Sequence, residues 1–199
     1  YPILVLHGGQ GSAKSTLATF IKQLIDPAEP LLRSAPRDER DLVIAASNSK
    51  VVAFDNLSSI HGWLSDALCR IATGGGLATR TLYSDDDEAV FNVQCPIILN
   101  GIEELASRAD LLDRSVILAM PPIGPSDRRD EAQLKASFER GRPALFGAVL
   151  TAMSIALANL DTTELPHRPR MADFARLAVA AEPAFGDRPV SFITAYMKN

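Results

Sequence analysis

Ile3-Leu4-Val5-Leu6-His7-Gly8-Gly9-Gln10-Gly11-Ser12-Ala13-Lys14-Ser15-Thr16 is the stretch that decides the fold. Four apolar residues without alternation read as a strand buried on both faces, as a parallel sheet requires. A glycine-rich turn ends it. Ser15–Ile25 follows with Leu17, Phe20, Ile21, Leu24 and Ile25 on one helical face. This order of strand, glycine loop and helix frames a match to G-x-x-x-x-G-K-[ST], in which only Ala13 stands where a glycine is usual. The N–H groups of such a loop point inward and cradle phosphate oxygens, and the positive end of the following helix adds to the attraction. The expected ligand is ATP with Mg²⁺. Lys14 would reach the β- and γ-phosphates and Ser15 would place its hydroxyl on Mg²⁺. Gly8, Gly9, Gln10, Gly11, Ser12, Ala13, Lys14, Ser15 and Thr16 form the expected nucleotide-binding set. Ala13 is expected to have right-handed φ, where alanine is tolerated.

Three further strands follow the same pattern. Val51-Val52-Ala53-Phe54 ends at Asp55, as a Walker B strand would. A carboxylate at that tip lies beside the loop and can hold Mg²⁺; a turn residue is the alternative. Asn56 follows, where many such ATPases carry a second acid. Asparagine orients water without taking its proton, so hydrolysis is slow or another acid serves. Pro96-Ile97-Ile98-Leu99 ends at Asn100, whose amide can contact the γ-phosphate or the attacking water, unless it merely opens the turn at Gly101. Arg114 precedes the strand Ser115–Met120. A guanidinium there suits action in trans on a neighbour's site, or an ion pair with Asp110 or Asp113. Lys14, Asp55, Asn100 and Arg114 are the expected catalytic residues, and Ser15 and Asp55 the expected metal-binding pair.

Between these strands lie a loop over Pro27–Arg40, a helix over Asp41–Ser49 and a helix over Trp63–Thr73 stopped by Gly74-Gly75-Gly76. Ala78–Tyr83 and Val90–Val93 alternate around an acidic turn and read as a hairpin. A short helix is expected through Glu103–Arg108. Prolines at 121, 122 and 125 mark a change of composition, dividing the chain into an α/β core, 1–124, and a helical lid, 125–199. The lid is expected to hold helices over Glu131–Arg140, Pro143–Asn159 and Arg170–Ala181. Its apolar stretch Ala144–Leu160 is short for a membrane span and reads as a buried helix, so no membrane partner is expected.

The chain is 47% hydrophobic and 22% charged, which suits a globular protein with a real core. Its net charge of -4 excludes a globally basic nucleic-acid binder, though not a local basic surface. Cys69 and Cys95 lack CxxC spacing and read as free thiols of a reducing cytoplasm. His7, His61 and His167 show no ligand spacing. No signal peptide is visible, and the start at Tyr1 reads as that of a fragment of a longer protein.

Together the elements resemble the AAA+ ATPases, and more narrowly the superfamily 3 helicases, the primase–helicase type of viruses, phages and plasmids. That group packs its three motifs compactly, as Gly8 to Asn100 do here. The most specific likeness is Leu68-Cys69-Arg70-Ile71-Ala72-Thr73-Gly74-Gly75-Gly76 leading into Ala78-Thr79-Arg80-Thr81-Leu82-Tyr83. In the group this region carries a hairpin that grips single-stranded DNA in a central pore. The resemblance therefore implies DNA binding by Arg70 and Arg80, a homo-oligomeric ring, expected as a hexamer, and ATP hydrolysis coupled to DNA translocation. The acidic turn Asp85-Asp86-Asp87-Glu88 departs from a DNA-gripping tip. Pro169-Arg170-Met171-Ala172-Asp173-Phe174 is similar to lid segments of primase-associated ATPases, which implies that Arg170 reaches the same chain's nucleotide. Charge pattern alone leaves Arg70, Arg80 and Arg170 equally readable as surface charges. Two rival functions stand beside the helicase: an AAA+ protein-remodelling or switch ATPase, and a nucleotide-binding module with weak hydrolysis.

Overall fold

The computed structural model describes residues 1–75, 77–80, 88–101, 105, 108–187 and 189–198; for 77–80 and 88–91 it describes the backbone. Two compact units divide the chain, Tyr1–Ile123 and Gly124–Asn199.

The first unit is α/β. Its elements are β1 (Ile3–His7), α1 (Lys14–Ile25), α2 (Glu39–Ser47), β2 (Val52–Leu57), α3 (Gly62–Thr73), β3 (Leu77–Arg80), β4 (Glu88–Phe91), β5 (Ile97–Gly101), α4 (Ala109–Leu112) and β6 (Ser115–Ala119). Four strands form an all-parallel sheet in the order β2-β5-β1-β6. Period-two alternation sorts their side chains onto two faces. Ile3, Val5, Val52, Phe54, Ile97 and Leu99 join Leu42, Leu64 and Leu68 of α2 and α3 in the larger core. Leu6, Ala53 and Ile98 turn the other way, onto Ala18 of α1. β1, β2 and β5 read as unbroken apolar runs because helices cover both faces, whereas β6, at the edge, leaves Leu118 exposed.

Local signals set the helix ends. Asp38 caps α2 by accepting from the Asp41 N–H at 2.8 Å, so this helix starts ahead of the expected Asp41. Gly74, at φ 83°, closes α3 in the left-handed conformation that glycine adopts readily. β3 and β4 pair antiparallel, with Arg80 opposite Glu88. Gly76, the acidic turn through Asp87, and most of the helix expected over Glu103–Arg108 lie outside the described residues.

A bulge interrupts β2. Its register with β5 shifts between Phe54 and Leu57, and Asn56 has φ 55°. The extra residue returns Leu57 to the larger core beside Phe54. Asparagine tolerates left-handed φ better than glutamate, which gives a backbone reason for Asn56 where a second acid was expected.

The second unit is helical: α5 (Glu131–Asn159), α6 (Ala172–Ala181) and α7 (Phe192–Tyr196). Two expectations are corrected here. Glu131–Arg140 and Pro143–Asn159 are one continuous 29-residue helix with Pro143 inside it. Gly141-Arg142 offers no capping side chain to start a second helix, and the loss of one N–H at Pro143 is absorbed locally. Ala144–Leu160 is also not a buried helix. Only Phe138, Ala152 and Ala156 of α5 are buried. The elements of this unit that pack on it, ten-residue α6 and the short turns Leu160–Thr162 and Glu182–Phe185, are too short to enclose it. By length and composition alone, Glu131–Thr162 would suffice to cross a bilayer. The third expected helix starts at Ala172, so Arg170 lies outside it. The sequence reading missed α7. Its Ser191 accepts from the Thr194 N–H, and Phe192 and Tyr196 pack with Phe174 at centroid distances of 5.7 and 5.9 Å.

Candidate functional site

The glycine-rich loop leaves β1 at the C-terminal edge of the parallel sheet. Two backbone bonds strap it from outside: Met120 N–H donates to the His7 carbonyl at 2.8 Å, and Ile123 N–H to that of Gly11 at 3.0 Å. Pro121 and Pro122 between them have no N–H to offer. The strap passes so close that a Cβ on Gly8 would lie 2.2 Å from the Met120 carbonyl oxygen. Glycine at position 8 therefore has a steric cause. Sequence reading took these prolines only as a boundary; nothing in their composition says that their neighbours tie down the loop.

Inside the loop, Ser12 Oγ donates to the Gly9 carbonyl at 2.9 Å. Gly11 has φ 76° and Ala13 φ 57°. The right-handed φ expected of Ala13 is thus corrected: the residue caps α1 in the left-handed region, where its Cβ approaches the following carbonyl. Lys14, 8% exposed, donates through Nζ to the carbonyls of Gly8 at 2.7 Å and Gly9 at 2.8 Å. Among the described residues no carboxylate forms an ion pair with it. Nζ also reaches Ser12 Oγ at 3.3 Å; a buried ammonium met by neutral oxygens alone is poorly compensated, and an anion placed there would complete it. Gln10 is exposed and Thr16 half-buried.

Asp55 and Asn100 share the α1 face of the sheet, two positions beyond Ala53 and Ile98. Both meet the start of α1. Ser15 Oγ donates to Asp55 Oδ1 at 2.9 Å, and Asn100 Nδ2 donates to Ser15 Oγ at 3.0 Å and to Asp55 Oδ1. The Asn56 N–H also donates to Oδ1, at 2.9 Å. Asn100 is only 2% exposed, and this buried amide is held in place by both partners. Gly101 follows because a Cβ there would lie 2.4 Å from the Leu57 carbonyl. Ser15, Asp55 and Asn100, distant in sequence, thus form one hydroxyl–carboxylate–amide cluster beside Lys14. A hydroxyl and a carboxylate are hard oxygen donors of the type that Mg²⁺ takes with water. Among the described residues no three His, Cys, Asp or Glu side chains converge to make a metal centre by themselves.

The remaining expected residues lie elsewhere. Arg114 precedes β6, at the opposite end of the strands from the loop, and donates through Nη1 to the Asp110 carbonyl at 2.6 Å. Its Nε is buried and has no hydrogen-bond partner among the described residues. Within one chain it does not join the cluster. Arg70 is exposed and pairs with Glu39 at 2.7 Å. Arg80 is described only as a backbone position in β3. Arg170 is exposed and belongs to the second unit. Burial pushes the Cys95 thiol up to about 11 and raises that of Cys69, so both are poor nucleophiles.

The family model of actinomycete integrative conjugative element replication proteins matches residues 1–198. The chain belongs to this family. It is accordingly a replication protein of a mobile element. No curated protein matches it. Among solved structures it is similar to one described as "The A form apo structure of NrS-1 C terminal region-CTR", at 15% identity and a TM-score of 0.47. That match covers 71% of this replication protein and 34% of the other chain.

Proposed function

We propose that the first unit binds a nucleoside triphosphate with Mg²⁺ in the Gly8–Thr16 loop and hydrolyses it to drive replication of the mobile element. The observation that carries this reading is the convergence of buried, carboxylate-free Lys14 with the Ser15–Asp55–Asn100 cluster at the strand tips. Lys14 and the loop N–H groups would hold the phosphates. Ser15 and Asp55 would hold Mg²⁺, which supplies charge neutralisation at the transferred phosphoryl group. Asn100 would orient the γ-phosphate or the attacking water.

The family's role in replication supports single-stranded DNA as the partner of this motor, with Arg70 and Arg80 as contacts. Release of Arg70 from Glu39 would be inexpensive, because exposed pairs contribute about 0.2–1 kcal/mol. Arg114, remote from its own loop, would act on a neighbour's nucleotide in a ring. The test is phosphate release from ATP with and without single-stranded DNA, with Lys14→Ala as control. Lys14-dependent turnover stimulated by DNA is expected. Lys14-dependent turnover indifferent to DNA would reject the helicase and leave a switch ATPase.

Binding with feeble hydrolysis is a second reading, favoured by one observation: the left-handed bulge puts asparagine at position 56. ATP binding by calorimetry without turnover would support it.

A further inference from the structure

Each arginine assigned to DNA has an acid of the same chain set against it. Arg70, in the last turn of α3, donates through Nη2 to Glu39 Oε1 of α2 at 2.7 Å, the two side chains being 44% and 37% exposed. The Arg70 backbone is fixed, because its carbonyl accepts from the N–H groups of Gly74 and Gly75. β3 follows at once and runs close to both α2 and α3, so the ion pair stands where the hairpin leaves its helix. Within the hairpin the register sets position 80, an arginine, directly opposite position 88, a glutamate. The sequence between them adds Asp85-Asp86-Asp87. A hairpin that only grips phosphate has no need of these acids.

We propose that Glu39 is a built-in competitor for the DNA phosphate at Arg70, holding the guanidinium until a strand displaces it, and that Glu88 stands in the same relation to Arg80. This regulation rests on the reading of Arg70 and Arg80 as contacts to single-stranded DNA. Carboxylate and phosphate offer a guanidinium fork the same kind of oxygen. Glu39 takes one bond, from Nη2, rather than two parallel ones, so a phosphate that accepts from both arms of the fork replaces it without loss of hydrogen bonds. While the pair is closed, DNA must open it first, and the apparent affinity falls with the fraction of guanidinium that is free. For an exposed pair this lowers affinity about two- to fivefold. Two independent pairs multiply. A polyanion that meets one arginine in passing is thereby disfavoured against a strand that meets both.

A staple between α2 and α3 is the competing role for the pair. The helices have little need of one: Leu42 and Val43 of α2 already share a buried core with Leu64 and Leu68 of α3, and Asp38 caps α2.

The test is binding of a labelled oligothymidine by the whole chain between about 50 and 200 mM salt, for wild type, Glu39→Gln, Arg70→Ala and the double variant. Arg70→Ala should bind more weakly, which checks the DNA reading by itself. Glu39→Gln should bind about two- to fivefold more tightly at low salt, and the gain should shrink as salt screens the pair. On the Arg70→Ala background, Glu39→Gln should change nothing, because the competitor has lost its object. Tightening on both backgrounds would mean simple repulsion between Glu39 and DNA, and would overturn the competitor. So would unchanged affinity in Glu39→Gln while Arg70→Ala binds weakly; a lowered urea midpoint would then identify the pair as a staple. Equal binding by all four proteins, or binding by none, would remove the DNA reading and the competitor with it.

Discussion

Ala13 is the one departure of the loop from its consensus, and it offers a test whose sign separates two local structures. At φ 57° and ψ 28° it is left-handed. An L-residue there loses about 1–2 kcal/mol to the clash between Cβ and the next carbonyl, a clash glycine lacks. Glycine also gives up more backbone entropy on folding, about 0.5–1 kcal/mol relative to alanine. Ala13→Gly should therefore stabilise the chain by about 0.5–1 kcal/mol. For a unit of this size that corresponds to about 2–4 °C in Tm. Ala13→Val should move the other way by at least about 1 kcal/mol, since β-branched side chains suffer most at positive φ. Urea titration followed by circular dichroism measures both, with the m-value as a check that only stability changed. A loss of about 1 kcal/mol for Ala13→Gly, as for glycine placed inside a helix, would refute the reasoning. Ala13 would then belong to the right-handed first turn of α1.

Other expectations follow from equally local geometry. Asp26 and Lys22 form a buried pair, and Asp26 Oδ2 also accepts from the N–H groups of Lys50 and Val51 at 2.8 and 2.9 Å. Asp26→Ala should cost about 3–5 kcal/mol in urea titration, because Lys22 is left buried and uncompensated. Burial alone would raise the Asp26 carboxyl, but Lys22 and the two N–H groups overcome it and hold the group at about 2. Its contribution is thus fully present above the ordinary carboxylate range and is lost as pH falls toward 2, so acid titration of Asp26→Asn should be flatter there than that of wild type. Gly101→Ala should lose at least about 2 kcal/mol, as the new Cβ meets the Leu57 backbone. Asn56→Glu should lose about 1 kcal/mol by the same denaturation measurement, whereas Asn56→Gly should be neutral or stabilising.

The core of the site was legible because a strand's period is two. Given a parallel sheet, Ala53 and Asp55 must share a face, as must Ile98 and Asn100. Apolar runs of matched length place their tips side by side, so two polar residues ending two such runs meet without any further information. The bulge after Phe54 was not legible in the same way. Asp55-Asn56 reads equally as an acid followed by a failed acid, and only the register shift reveals that position 56 answers to the backbone. The strap was hidden for a similar reason. Met120 and Ile123 contribute N–H groups, which every residue except proline possesses, so sequence carries no mark of where they go.

The second unit fails to yield to the same reasoning, and the cause is its lack of a two-sided environment. In the sheet, burial on both faces turns hydrophobicity into a reliable statement of position. In α5, Ala152 and Leu150 are both apolar, yet one is buried and the other is 55% exposed. An apolar run can thus be read as core only when the surrounding elements suffice to cover it. Ten-residue α6 and the short turns Leu160–Thr162 and Glu182–Phe185 cannot cover a 29-residue helix. The same count explains why the expected buried helix and the observed exposed one arise from identical sequence.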